Sequence, residues 1–212
     1  MYVPKIFRED SVPVLHALMR ERGFATVVSF GPEGLFASHV PVEIDPAPAP
    51  LGAIRCHVAR QNPHAEMLPA ASQVLAIVQV ADRYISPGWY PSKRQGGRVV
   101  PTWNYVAVHG YGRAAAFDEP DRLRRHLAAL VGRNEAGRDP PWTLEDAPAD
   151  YIEGMCRGIV GFEIALDRLE GKRKLSQNRS ASDCAGVVAG LRAAGDDAGL
   201  AMAALVEAAN PR

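Results

Sequence analysis

The feature that most constrains the fold is a series of apolar, β-branched runs separated by short turns. The first two runs, FATVVSF (24–30) and LFASHVPVEI (35–44), flank the turn Gly31-Pro32-Glu33-Gly34, and this pattern predicts an antiparallel hairpin. About six or seven strands joined mostly by hairpins favour an antiparallel barrel in an α+β protein, because closing the sheet removes exposed edges. The further predicted strands are 53–59, 74–80, 105–117 and 159–166.

Helical patterns flank these strands. A capped segment at 12–22, whose apolar residues share one face, predicts the first helix. Further helices are predicted over HAEML (64–68), from Pro120 to about 131, at about 148–157, and in a tail from about 180 that Gly195 divides in two. The chain is therefore predicted to be a single domain over residues 1–212, with a helical C-terminal extension from about 180.

Charge and composition constrain the partners of the chain. Its 24 basic and 24 acidic residues cancel, so it lacks the basic excess typical of a nucleic-acid-binding protein. The three cysteines form no CxxC pair, which indicates a reducing cytoplasm. The N-terminal MYVPKIFRED has no apolar signal core, and no run approaches the length of a membrane span. We therefore expect a cytoplasmic protein with no membrane partner.

The segment 84–105, YISPGWYPSKRQGGRVVPTWNY, is the most informative about function. It combines five aromatic rings with three cations, which are Tyr84, Trp89, Tyr90, Trp103 and Tyr105, and Lys93, Arg94 and Arg98. Rings offer stacking faces, and cations pair with phosphate or carboxylate. The segment favours a site for a planar, anionic ligand as much as it favours a connector that packs its rings on the core and exposes its charges.

Two other stretches carry polar groups that suit a ligand. In HVARQNPHA (57–65), the start of a short helix and Arg60 would receive a phosphate, or else Asn62 caps an ordinary turn. The run EGKRKLSQNRSASD (170–183) is either a solvated charged surface or a segment whose hydroxyl and amide groups, at 176–178, read the edge of a heteroaromatic ring. Both alternatives stay open for each stretch.

Common catalytic and metal-binding motifs are absent from the sequence. The six histidines have no metal-ligand spacing, and neither GxSxG, GxGxxG nor a P-loop occurs. No general acid or base stands out, so no catalytic residue is assigned. His39 and His57 lie in predicted strands among apolar neighbours, where each is either a satisfied core histidine or a ligand contact.

The helix DRLRRHLAALVGR (121–133) carries four arginines and His126. Such a helix can contact DNA, but no second helix precedes it at helix-turn-helix spacing. The sequence therefore favours a solvated face, with His126 facing solvent.

Taken together, these segments resemble the PaiB family, described as FMN-binding negative transcriptional regulators. The resemblance covers nearly the whole length and includes specific blocks such as YISPxWYPSK, VPTWNY and KLSQNR. The matching pieces are MYVPKIF, FATVVSFGPEGLFASHVPV, HVARQNPHA, YISPGWYPSKRQGGRVVPTWNYVAVHGYGR, PWTLEDAPADYIEGM, IVGFEI and LEGKRKLSQNRSASDCAGVVAGL.

The resemblance implies an antiparallel split β-barrel with flanking helices, related to pyridoxamine phosphate oxidases, and a homodimer with FMN at the subunit interface. It also implies four groups of FMN contacts. The phosphate and ribityl chain meet His57, Val58, Arg60 and Asn62, and the isoalloxazine is lined by His39, Val40 and Pro41. Polar groups reach the ring from Thr102, Trp103, Asn104 and Tyr105. The partner chain contributes Lys174, Ser176, Gln177 and Asn178.

One departure from the related oxidases matters. They hold phosphate with a Ser-Arg-Lys cluster after the third strand, whereas this chain has Gln61-Asn62-Pro63 there. Arg60 or a residue from elsewhere must then supply the charge, and pyridoxal chemistry itself is disfavoured.

The function that the resemblance implies is FMN-dependent negative transcriptional regulation, although the sequence has no helix-turn-helix to contact DNA. The alternative is an FMN-dependent oxidoreductase, either an NAD(P)H:flavin reductase or an oxidase of a small substrate, with the aromatic–basic segment as a substrate lid. A third alternative is haem handling, for which His109 is the first residue to test.

Overall fold

The strands and helices follow the sequence pattern closely. Residues 1–32, 34–47 and 50–211 are described in the computed structural model of the chain, so that Glu33 of the predicted turn lies outside the described residues. The strands are β1 Arg8–Glu9, β2 Phe24–Gly31, β3 Gly34–Pro41, β4 Glu43–Asp45, β5 Ala53–Ala59, β6 Val74–Ile85, β7 Thr102–Phe117 and β8 Ile159–Lys174. The α-helices are α1 Val12–Arg22, α2 His64–Ala70, α3 Pro120–Glu135, α4 Ala149–Arg157, α5 Ala181–Ala194 and α6 Asp197–Ala209. None of the helices within this described part is long and apolar enough for a membrane crossing.

The chain divides into two compact units. We call Val12–Val78 with His109–Leu169 the barrel unit, and Met1–Ser11 with Gln79–Val108 and Glu170–Arg212 the terminal unit. The long strands β6, β7 and β8 contribute residues to both units. The expectation of a single domain over the whole chain stays a prediction.

The sheet of the barrel unit closes on itself. Its strand order is β3-β2-β6-β7-β8-β5-β4. The pairings of β2 with β3 and β6, and of β5 with β4 and β8, are antiparallel. The first and last strands of this order, β3 and β4, are separated in the chain by Val42 alone. Because one residue cannot span an open sheet of seven strands, the sheet must curl until its two ends meet. The predicted antiparallel barrel is confirmed.

Alternating side chains fill this barrel. Val27 and Val40 from one end of the strand order, and Ile54, Phe162 and Ile164 from the other, are almost fully buried. Period-two burial is what a half-buried antiparallel strand produces. Beside the barrel, α3 and α4 enclose a second apolar cluster, consisting of Phe117, Leu123, Leu144, Ile152 and Cys156.

The terminal unit is organised by α5 and α6, which pack on each other. Gly195 ends α5 with φ +74°, the left-handed conformation that glycine adopts without strain. Trp89 lies against Gly186 and Gly190 of α5, where a Cβ atom would stand within 2.3 Å of its backbone or ring. The predicted division of the C-terminal tail at Gly195 is confirmed.

The strands β6, β7 and β8 are longer than the sequence pattern predicted, and β8 is extended the most. β8 continues to Lys174 instead of ending near residue 166, because Lys172 and Gly171 pair with β1. The ammonium of Lys172 lies 5.6 Å from the ring centre of Tyr2 and 5.0 Å from that of Tyr105, and it donates to Tyr2 O at 3.0 Å. These tertiary contacts turn part of a charged run into a buried strand, which local propensity does not predict.

Candidate functional site

The end of β8 and the start of β7 bring five predicted site residues together in the terminal unit. Lys174 Nζ donates to Thr102 Oγ1 at 2.5 Å and to the carbonyl oxygen of Trp103 at 2.5 Å. Asn104 Nδ2 donates to Ser176 Oγ at 2.9 Å. We call Thr102, Trp103, Asn104, Lys174 and Ser176 the Lys174 cluster. All its members belong to one chain, so these contacts form without a partner.

The backbone after Lys174 is held in a tight turn. Ser176 has φ +69°, a left-handed conformation that costs a non-glycine residue free energy. The Gln177 side chain holds this turn, since its Oε1 accepts from Leu175 N at 2.7 Å and its Nε2 donates to Arg173 O at 2.6 Å. Strain that the surroundings maintain is typical of functional sites. Asn178, the last predicted contact, is exposed.

The electrostatics of the Lys174 cluster favour an anion. Burial lowers the pKa of Lys174, and the nearby charges of Lys172 and Arg179 lower the same pKa further. The charges that shift the pKa of Lys174 are therefore all positive. The two groups that accept hydrogen bonds from Lys174 are a hydroxyl and a carbonyl. An anionic or electron-rich ligand placed here would relieve the mutual repulsion of the cations.

An exposed aromatic pair adjoins the cluster. The rings of Tyr84 and Trp103 meet edge to face, with centroids 6.1 Å apart and planes at 74°. The two side chains are 46% and 53% exposed, so their faces are accessible to a flat molecule. Tyr105 follows on β7, half-buried beside Lys172.

Part of the aromatic–basic segment 84–105 is a packed connector, and part of it is exposed enough to contact a ligand. Tyr90 is 2% exposed, with the Arg179 guanidinium 4.7 Å from its ring centre. Ser92 donates to Asp183 of α5 through both its backbone N (3.0 Å) and its Oγ (2.8 Å). The middle of the segment is therefore a packed connector, whereas its two ends carry the exposed rings of Tyr84 and Trp103.

The predicted contacts on β3 lie in the barrel unit. His39 is exposed, with Nδ1 3.0 Å from Thr26 Oγ1. Val40 is buried, and Pro41 lines a cavity next to α3. Of these three residues, His39 is the one whose side chain is open to solvent.

The loop after β5 is closed by its own hydrogen bonds. Arg60 donates to the carbonyl oxygens of Arg157 and Ile159, both at 3.1 Å. Asn62 Oδ1 accepts from His64 N at 2.9 Å, and its Nδ2 donates to Ser38 Oγ at 3.1 Å. The side chain of Asn62 therefore holds the turn that precedes α2, but the N-cap position of this helix is Pro63, which makes no side-chain capping bond, so the predicted N-cap role of Asn62 was wrong. The roles of Arg60 and Asn62 at an FMN phosphate stay a prediction.

The interpretation of His126 as a solvent-facing residue was wrong. It is 3% exposed. Its Nε2 lies 3.1 Å from Nδ1 of His57, and its Nδ1 lies 3.2 Å from Oε2 of Glu43. The signal was present in the sequence, because His126 shares the 3.6-residue period of Leu123 and Leu130, the buried face of α3.

Three of the four arginines of α3 have partners within the chain, whereas Arg125 is exposed as expected. Arg122 pairs with Glu163 and Arg124 with Glu145, each at 3.0 Å. Arg133 donates to Val42 O at 2.6 Å, which fastens the end of the helix to the barrel.

Comparison with known proteins places the chain among flavin-binding families. The family model described as "Putative FMN-binding domain" matches residues 1–168. The Bacillus subtilis protein "Protease synthase and sporulation protein PAI 2" is 33% identical over 188 residues, covering 89% of this chain and 87% of that protein. An uncharacterized Aspergillus fumigatus protein is 30% identical over 252 residues, covering 98% and 97%. A solved FAD- and haem-binding protein from Mycobacterium smegmatis has a TM-score of 0.59 at 15% identity, covering 84% and 78%, and shares the fold.

Proposed function

Since the chain belongs to the PaiB family of FMN-binding proteins and has its split-barrel fold, we propose that the Lys174 cluster holds the flavin ring of FMN. We propose further that the protein is a cytoplasmic negative transcriptional regulator that uses FMN as its bound ligand. The observation that carries the first proposal is the ammonium of Lys174, surrounded by cations and adjoining exposed aromatic rings.

The donor set of the cluster suits FMN. The pyrimidine edge of the isoalloxazine carries two carbonyl oxygens, which accept hydrogen bonds, and one N–H, which donates. Lys174 and Asn104 supply donors, while the hydroxyls of Thr102 and Ser176 both donate and accept. When bound, FMN supplies reversible hydride and electron transfer, and the residues of the chain bind and orient it. The other predicted FMN contacts, on β3 and after β5, stay predictions.

Substitution of Lys174 tests the site. The variant Lys174→Met keeps an apolar stem and removes the charge. Loss of a hydrogen bond from a charged group costs about 1.5–3 kcal/mol, so we expect FMN to bind about 10- to 150-fold more weakly. The matched control is Lys5→Met, which removes an exposed lysine of the same unit outside the aromatic–basic segment. Quenching of flavin fluorescence measures both affinities. If the two variants bind FMN with equal affinity, Lys174 does not contribute to FMN binding.

The regulatory role is supported by the description of the PaiB family that the sequence resembles, to which the Bacillus relative is similar. Direct DNA contact through α3 has little support, because Arg122, Arg124 and Arg133 have partners within the chain. A gel shift on the DNA upstream of the protein's own gene, with FMN-free and FMN-loaded protein at two salt concentrations, tests this role. We expect a salt-sensitive shift that depends on FMN loading. Absence of any shift at low salt in both forms would contradict a role on this DNA.

The second candidate function is an FMN-dependent oxidoreductase, and the Tyr84–Trp103 pair favours it. These half-exposed rings would let a second planar molecule, such as a nicotinamide, stack beside the cluster. Anaerobic titration of the FMN-loaded protein with NADH and NADPH distinguishes this function. Rapid bleaching of the flavin absorbance supports the oxidoreductase, and an unchanged spectrum supports the regulator.

A homodimer is proposed as the working assembly. The β2–β3 hairpin leaves large apolar side chains on the surface, with Phe30 70% and Leu35 76% exposed. Apolar surface of this kind is typical of contact sites between proteins. Sedimentation equilibrium should give twice the chain mass, and a monomer at micromolar concentration would contradict the dimer.

A further inference from the structure

A groove between the last two helices of the terminal unit encloses about 420 Å³, a volume typical of small-molecule sites. One face of α5 forms one wall, and the C-terminal end of α6 forms the other. We call this cavity the α5–α6 groove. None of the residues that line it is a predicted FMN contact or a member of the Lys174 cluster.

The walls of the α5–α6 groove are mostly apolar. Ala181, Ala185, Val188 and Ala189 line it from α5, and Val206 lines it from α6. The α5 residues recur at the spacing of one helix face. With a rise of about 1.5 Å per residue, this face is long enough to hold the extended apolar body of a small molecule.

A positive charge stands at the start of this face. Arg179 precedes α5 and is half-buried, and its guanidinium carbon lies 4.7 Å from the ring centre of Tyr90. Burial raises the pKa of Tyr90, so its hydroxyl stays neutral. The carboxylate of Asp183 accepts from Ser92, through N at 3.0 Å and through Oγ at 2.8 Å. Within the part of the chain that the structure describes, no carboxylate forms an ion pair with Arg179.

The other polar groups that line the α5–α6 groove are satisfied. Arg192 and Glu207 form an ion pair at 2.8 Å, three helical turns along α5 from its start. Asn210 Nδ2 donates to the carbonyl oxygens of Leu175 at 2.9 Å and Val206 at 2.8 Å. Among the described side chains of the groove, Arg179 is therefore the cation whose charge is left uncompensated.

We propose that the α5–α6 groove is a second ligand site, separate from the Lys174 cluster, which binds a monocarboxylic acid with an aliphatic tail. The planar guanidinium of Arg179 pairs with the two carboxylate oxygens, and the tail lies along the apolar walls. The charges restrict the ligand to one carboxylate, because a second one at the far end meets Glu207, which Arg192 already neutralises. An alcohol of the same length leaves the guanidinium without a counter-charge.

The first test needs no substitution. Calorimetric titration of the FMN-loaded protein compares octanoate with octanol, which lacks the charge, and with suberate, which carries a carboxylate at both ends. We expect octanoate to bind at least about tenfold more tightly than either. Absence of octanoate binding at millimolar concentration overturns the proposal, and so does equal affinity for octanol or for suberate.

The second test uses substitutions at the two parts of the site. Arg179→Met keeps an apolar stem and should weaken octanoate binding about 10- to 150-fold. The matched control, Arg8→Met, removes an exposed arginine of the same unit and should leave octanoate binding unchanged. Ala185→Phe keeps the charge but fills the groove, and should block the tail. Equal octanoate affinity in Arg179→Met and Arg8→Met, or wild-type affinity in Ala185→Phe, contradicts the site.

A competition experiment separates this site from the flavin site, because Arg179 lies near enough to Lys174 for its charge to act there. Octanoate should bind both the FMN-free and the FMN-loaded protein, and Lys174→Met should weaken its binding far less than Arg179→Met does. If saturating FMN abolishes octanoate binding, or if Lys174→Met loses it equally, the groove belongs to the flavin site. The proposal of a separate site then fails, while the proposed flavin function stands.

Discussion

Lowering the pH should destabilise the protein through His57, and the size of the effect can be worked out. The pKa of this imidazole falls from an ordinary value of 6.5 to about 4, mainly because folding buries it. The folded pKa lies below the unfolded one, so the unfolded chain binds the proton first. Stability is therefore fully present above pH 6.5 and is lost as the pH falls toward 4. Between pH 7.5 and 4.5 this linkage removes about 2.5 kcal/mol.

Urea unfolding of FMN-free protein at pH 7.5, 5.5 and 4.5 measures the loss. The reference is His57→Leu, which cannot titrate at this position. Carboxylates with a lowered pKa, such as Glu43 and Asp45, lose their contribution below their ordinary pKa in both proteins and largely cancel in the difference. The wild type should lose about 2.5 kcal/mol more than the variant over this range. Superimposable pH profiles for the two proteins would refute the reasoning.

Two further predictions concern packing. In Gly190→Ala, the added Cβ would stand 2.3 Å from the Trp89 ring, so the free energy of unfolding measured in urea should fall by about 1–3 kcal/mol. In the control Gly132→Ala in α3, the added Cβ meets open space, so the free energy of unfolding should instead rise by about 0.5–1 kcal/mol. An equal effect of the two changes would contradict the described contact. Burial raises the pKa of Cys56 to about 12, so Ellman's reagent at pH 8 should label this thiol only after unfolding, and rapid labelling of the native protein would contradict its burial.

The sequence predicted the barrel well, because the strands of the barrel unit have regular patterns. The hairpin of β2 and β3 and the helix Val12–Arg22 agree with the apolar periodicity and the flanking turn residues. The extension of β8 was missed, because Lys172 is buried by rings that lie far away in the chain. Only tertiary contact determines such a position, and a charged run carries no local sign of it.

The site could be predicted only in part for the same reason. Aromatic and basic residues in one segment indicated a planar, anionic ligand, and the two strand ends of the Lys174 cluster came from the resemblance. The local pattern could not indicate that Tyr90 packs inward while Trp103 stays exposed. The contact of His126 with His57 joins residues 69 positions apart, a pairing that the order of strands and helices determines.

The most direct test of the account is the distance between Lys174 Nζ and the flavin in a crystal structure of the FMN-bound protein. We expect a ring oxygen or nitrogen of the isoalloxazine to lie within about 3.2 Å of Nζ, with Trp103 beside the ring. A flavin bound elsewhere on the chain, with Lys174 still bonded only to Thr102 and Trp103, would contradict it.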